Sequence, residues 1–264
     1  MNTAMLLETR NLHWSYGQQK VLDSINITVK KSCFCGLIGP NGSGKTTLIK
    51  NISRILVPQK NSVYIYGKDI CQYSSREFSK LVAYVPQNTN VEFEFTAMDV
   101  VLMGRSPYLK RFEPESMHDM DIAREAMFLT NTWHLKDKSI SKLSGGEKQR
   151  VVIARALCQN TEIIILDEPV SHLDLQHQIE LMRLLRQLCN EAKKTVIMSI
   201  HDLNLASQFC DDIILMNRGK VFDFGNAENI FDAGKIKEVY GIDVMIDKNP
   251  VTGKPHVIPF IKMN

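Results

Sequence analysis

The stretch GPNGSGKT, Gly39–Thr46, places glycines, a lysine and a threonine at the spacing G-x-x-x-x-G-K-T. A loop of this kind holds phosphate mainly with its backbone. Gly42 and Gly44 let the chain wrap close to phosphate oxygens, and successive N–H groups form an anion nest. Lys45 is expected to reach the β- and γ-phosphates of a nucleoside triphosphate, and the Thr46 hydroxyl to bind Mg2+. Gly39, Pro40, Asn41, Ser43 and Thr47 complete the expected ATP-binding loop. A dinucleotide fingerprint is a poor competitor, because the spacing is not G-x-G-x-x-G.

A second stretch, IIILDEP (Ile163–Pro169), ends an apolar run in two acids. Asp167 there can hold the Mg2+ shell, and Glu168 can orient or deprotonate an attacking water. His201 closes the run TVIMSIHD and is expected beside the same phosphate, in contact with it and the water. Gln87, in YVPQN, can bind Mg2+ or the water and report whether the site is full. Tyr16, in SYGQQKVL, can stack on a purine ring with Val21 packing beside it. Together these residues describe phosphoryl transfer from a purine nucleoside triphosphate to water.

Strands and helices must bring these stretches together. Residues 6–32 alternate apolar and polar with turn signals at Tyr16-Gly17 and Lys30-Lys31, a β-rich entry. CFCGLIG runs as a strand into the glycine loop, and TTLIKNISRIL follows as a helix. VYIYGKDI reads as a strand with a turn at Gly67. Residues 89–158 carry helical signals, broken at Pro107 and Pro114. IIILDEP, TVIMSIHD and DIILMNRG suit strands buried on both faces. LQHQIELMRLLRQLCNEAKK is an amphipathic helix, with Leu181, Leu184, Leu185 and Leu188 at helical spacing.

Strands alternating with helices predict an α/β fold around a mostly parallel sheet. The expected organisation is a single domain: a core of residues 1–88 and 159–240 with an antiparallel β part, a helical insertion at 89–158, and a tail at 241–264.

Composition narrows the function. The chain has 264 residues, 44% hydrophobic and 23% charged, with a net charge of +3, which argues for neither nucleic acid nor an acidic membrane surface. No apolar run approaches the ~20 residues of a membrane span, and the N-terminus lacks the pattern of a signal peptide. A cytoplasmic protein is expected. Six cysteines without a C-x-x-C pair make neither a disulfide framework nor a zinc site. Cys33 and Cys35 should point to one face of a strand as small buried hydrophobes.

One further stretch raises a question. In KLSGGEKQRVVIARAL, Ser144, Gly145 and Gly146 open a helix in the manner of another phosphate cradle, with Glu147 after them. The glycine loop, Gln87, LSGGEKQR, ILDEP, the SHLD that follows and His201 together resemble the ATP-binding subunits of ABC transporters, in that family's order. The resemblance spans nearly the whole chain. It implies a P-loop ATPase with a RecA-like core and an inserted helical subdomain, and it gives the second cradle a partner. Two copies would pack head to tail, so that Ser144–Glu147 of one grip the γ-phosphate held by the other. By the same resemblance Ser171, His172, Leu173 and Asp174 would line the dimer seam. Glu147 stands where many members have Gln, and Val170 replaces the usual Thr, losing a hydroxyl near the seam.

LVAYVPQN, FTAMDVVLMGRSPYLKRF and the tail VYGIDVMIDKNPVTGKPHVIP look like the importers of ferric siderophores, haem and cobalamin. That branch implies an integral membrane permease as partner, and indirectly an external substrate-binding protein. Phe93, Phe95, Tyr108 and Phe112 would then lie in the permease-facing stretch. A molybdate importer, an exporter ATPase and a soluble non-transport ABC protein are the alternatives. The last usually carries long coiled coils or two ATPase domains, and neither is in this sequence. The tail either covers the core or modulates the dimer.

Overall fold

The computed structural model describes residues 5–87, 94–111, 113–171 and 173–260. Two long antiparallel strands, β1 (Met5–Tyr16) and β2 (Gln19–Lys30), open the chain. β3 (Phe34–Ile38) feeds the glycine loop and α1 (Lys45–Ile52). α1 is shorter than its sequence suggests, because Arg54 turns left-handed at φ 60° just after it. β4 (Val63–Ile65) and β5 (Lys68–Asp69) form a hairpin about Gly67, so VYIYGKDI is two short strands. α2 (Ser75–Leu81) runs directly into β6 (Val82–Val85).

Three helices follow: α3 (Ala97–Leu102), α4 (Met117–Leu129) and α5 (Gly145–Cys158). The chain then alternates: β7 (Ile163–Leu166), α6 (Leu175–Asn190), β8 (Thr195–Ser199), α7 (Leu203–Phe209) and β9 (Asp212–Asn217). It closes with β10 (Lys220–Gly225), α8 (Ala227–Ile230), α9 (Ala233–Tyr240) and a hairpin of β11 (Val244–Lys248) and β12 (Pro255–Pro259). Among the described residues no helix is long and apolar enough to cross a membrane.

The main sheet runs β10-β9-β3-β8-β7-β6, parallel throughout except for β10. Alternation along its strands divides two apolar clusters. Phe34, Ile38, Ile164, Leu166, Val196 and Met198 face α6 on one side. Cys35, Leu37, Ile163, Ile165 and Ile197 face α1 and the β2-β1-β4-β5 sheet on the other. This is why IIIL is apolar without a break. Cys33 and Cys35 share that second cluster, where burial pushes their thiols up. A third cluster unites α3, α4 and α5. Helix α5 belongs to two of them: Val151 and Ala154 face the helical lobe, while Val152, Ile153 and Ala156 face the sheet. The tail hairpin covers the core. Val244 and Val257 join the first cluster, and Asn204 on α7 bonds both backbone groups of Val257, at 2.7 and 3.2 Å.

Candidate active site

Parallel strands end at the same edge of a sheet, and ligands bind there. β6, β7, β8 and β3 are neighbours in that order. Their C-terminal ends deliver Gln87, Asp167 with Glu168, His201 and the glycine loop to one place.

The loop is built for close approach. A Cβ on Gly39 would lie 2.4 Å from the Met216 carbonyl oxygen and 2.8 Å from Ser43 Oγ. Gly44, at φ 102°, caps α1, and a side chain there would strike Leu22 and the Val21 carbonyl. So β2 packs directly against the loop. The face of Gly42 (φ 77°) is open. A cleft of about 230 Å³ lies over the loop, lined by Val21, Asn41–Thr47 and Glu168.

Several features fit a triphosphate with a divalent cation. Ser43 Oγ is buried without a hydrogen-bond partner among the described residues. Lys45, only 5% exposed, turns its ammonium onto the Gly39 and Pro40 carbonyls at 2.7 and 3.1 Å. Burial lowers its pKa, against the pull of Glu168 and Asp167. Thr46 Oγ1 donates to Asp167 Oδ1 at 3.2 Å, pairing two hard oxygen ligands of the kind Mg2+ accepts.

The acids are tied together. The Asp167 amide donates to the Val85 carbonyl at 2.9 Å, which links β7 to the end of β6. Asp167 is 1% exposed; burial raises its pKa, and the Ser199 and Thr46 hydroxyls oppose the shift. Glu168 sits at φ 48°, an uncommon conformation for a non-glycine residue that is held in place by its neighbours. Its carboxylate lies between Gln87 Nε2 and His201 Nε2, each 2.5 Å away. Gln87, expected at Mg2+ or at the attacking water, thus reaches the carboxylate of Glu168.

Ser199 escaped the sequence reading. Its hydroxyl accepts the Glu168 amide at 2.7 Å and donates to Asp167 at 2.8 Å. The available signal was a hydroxyl closing an apolar strand, two residues before His201. Tyr16 is 48% exposed, with its ring edge-on to Trp14. Neither Tyr16 nor the LSGG segment lines the cleft.

Ser144 and Gly145 are exposed. Ser144 caps its own helix: its Oγ accepts the Glu147 amide at 3.3 Å, and Glu147 accepts the Ser144 amide at 2.8 Å. Those bonds hold the Glu147 carboxyl below the usual range. Glu or Gln serves this box equally, which explains the departure at Glu147.

Leu173 is buried, with Cδ2 3.4 Å from where a Cβ on Gly146 would stand. Ser171 Oγ donates to the Glu168 carbonyl at 3.0 Å, and Asp174 caps α6 through the His177 amide. His172 lies outside the described residues, as do Phe93 and Phe112. The Val170 side chain is buried in the first apolar cluster, a place that suits an aliphatic residue. Phe95 is 39% exposed. Tyr108 packs within the protein, with Arg105 over its ring at 4.0 Å and its hydroxyl on the Gln159 carbonyl at 3.0 Å.

Residues 22–171 match the family model described as ABC transporter. The chain belongs to the ABC transporter family. The cassette is 35% identical over 253 residues to the ferric enterobactin transport ATP-binding protein FepC of Escherichia coli (strain K12), covering 96% of this chain and 93% of that one. It is 34% identical over 255 residues to the cobalamin import ATP-binding protein BtuD of Halobacterium salinarum. That match covers 97% of this chain but only 64% of the relative. Among solved structures, an ABC transporter described as of metal-chelate type, in an inward-facing conformation, superposes with a TM-score of 0.85 at 27% identity, covering 98% and 99% of the two chains. A bacterial ABC transporter cassette solved as a dimer gives 0.75 at 28% identity, covering 84% and 98%. The fold is that of the family's ATPase cassettes, α/β with a mostly parallel sheet and an antiparallel part.

Proposed function

We propose that this cassette is the ATP-hydrolysing subunit of an importer for a metal chelate of ferric-siderophore, haem or cobalamin type. It works at the cytoplasmic face of the membrane, as a homodimer on an integral permease fed by an external substrate-binding protein. The names of its relatives and the 0.85 superposition support the substrate class.

In the proposed site Gly39–Thr47 hold the phosphates, with Ser43 Oγ and Lys45 turning to them from their present positions. Tyr16 and Val21 take the base. Thr46, Asp167 and Gln87 hold Mg2+, which supplies charge neutralisation when bound. Glu168, braced by Ser199, Gln87 and His201, takes a proton from water aligned with the γ-phosphate. Ser144–Glu147 belong to the other copy's site, and Ser171–Asp174 to the seam.

One observation carries this arrangement: Ser144 and Gly145 present an exposed helix start, while the cleft over the same chain's loop contains no LSGG residue. A C2 pair makes each half complete the other. The test is capture of tagged Glu168→Gln from native-host membranes solubilised with Mg-ATP. A many-helix permease identified by mass spectrometry is expected. A soluble partner, or none, contradicts the importer reading.

A further inference from the structure

The helical lobe touches the sheet at more than α5. Arg76, exposed on α2, aims its guanidinium at three successive carbonyls beyond α3. Its Nε donates to Pro107 O at 2.9 Å, and Nη2 donates to Tyr108 O at 3.0 Å and Leu109 O at 3.2 Å. Lys80, one turn further along α2, lies over the Tyr108 ring at 5.0 Å. From the other side, Gln159, just past α5, donates to Ser79 O at 2.5 Å and Val82 O at 3.0 Å. Arg105 joins this strap to the end of α5 through Cys158 O at 3.0 Å.

The sequence order gives this joint its meaning. α2 runs into β6 without a break, and β6 ends two residues before Gln87, which touches Glu168. The strap 107–109 therefore hangs from the element that leads to the nucleotide site. A planar fork with five donors suits three neighbouring carbonyls better than a point charge does. Because Arg76 is exposed, its bonds add little to global stability.

We propose that Arg76 is a positioning residue. It ties the strap 107–109 to α2, so that a change at Gln87 on nucleotide binding moves this part of the helical lobe together with the sheet. The inference rests on the importer reading for what docks on the lobe, but its test needs no docking partner.

The test is hydrogen exchange by mass spectrometry on the full chain carrying Glu168→Gln, with and without Mg-ATP. With Arg76 present, ATP is expected to slow exchange in peptides covering both 82–87 and 103–111. Arg76→Ala should keep the first effect and lose about half or more of the second, with ATP affinity within about two-fold and melting within about 2 °C. Arg76→Lys, still a cation with three donors, should restore part of the loss. Equal protection of 103–111 without Arg76, or no ATP effect there in the parent, overturns the proposal. So does a drop in ATP affinity or melting beyond those limits, which marks a purely structural residue. Failure of the permease capture, with this exchange result intact, removes the importer reading alone.

Discussion

Ser199 Oγ accepts a hydrogen bond from the backbone amide of Glu168 at 2.7 Å and donates one to Asp167 Oδ1 at 2.8 Å. One hydroxyl on β8 thus fixes both acids at the end of β7, including a glutamate held at positive φ. Ser199→Ala leaves a buried amide and a buried carboxylate short of a partner. We expect a loss of about 1–3 kcal/mol in urea unfolding. ATPase turnover should fall more than ATP affinity, because Glu168 loses its orientation.

Asp167 should oppose stability while serving the site. Its pKa is raised in the folded chain, so folding disfavours the charged form. The stability this group contributes is present below the ordinary aspartate range and lost as pH rises through the raised value. At neutral pH, Asp167→Asn is therefore expected to melt higher than the parent without nucleotide. Thermal melts with added Mg-ATP check the other side: the parent gains stability, and the variant loses most of that gain.

Asp119 carries the opposite sign. Its carboxyl is drawn down to about 2 by the Ser116 hydroxyl and then by Arg105, with which it forms a buried ion pair at 2.8 Å. Its stability is present above the unfolded value near 4 and is lost as pH falls towards 2, about 2 kcal/mol in all. Asp119→Asn should flatten that acid limb in denaturation curves measured across pH.

Ser144→Arg separates a site made within one chain from a site made between two. The isolated chain should bind ATP within about two-fold of the parent, with about 1 kcal/mol lost from the helix cap. Turnover should disappear. Loss of ATP binding by the monomer would place LSGG at its own nucleotide.

The loop, the two acids and His201 were legible because each is a local pattern at the end of an apolar run, and parallel pairing brings those ends together. Ser199 was not legible, since its role exists only because β8 lies beside β7. The burial of Val170 was not legible for the same reason, since it depends on packing that spacing does not encode. Tyr108 shows the limit for aromatics. Only the resemblance put it in the permease-facing stretch; its contacts, Arg105 over the ring and the Gln159 carbonyl on its hydroxyl, come from segments far apart in sequence. The turn at Gly67 was legible from the glycine itself, and the strands on either side of it pair with each other as a short hairpin.

The most direct test of the composite site is the mass of Glu168→Gln in solution, by gel filtration with light scattering. At saturating Mg-ATP it should run at twice the chain mass, and it should return to the monomer when nucleotide is removed. A monomer under both conditions, with ATP bound, would contradict two copies closing over the nucleotide.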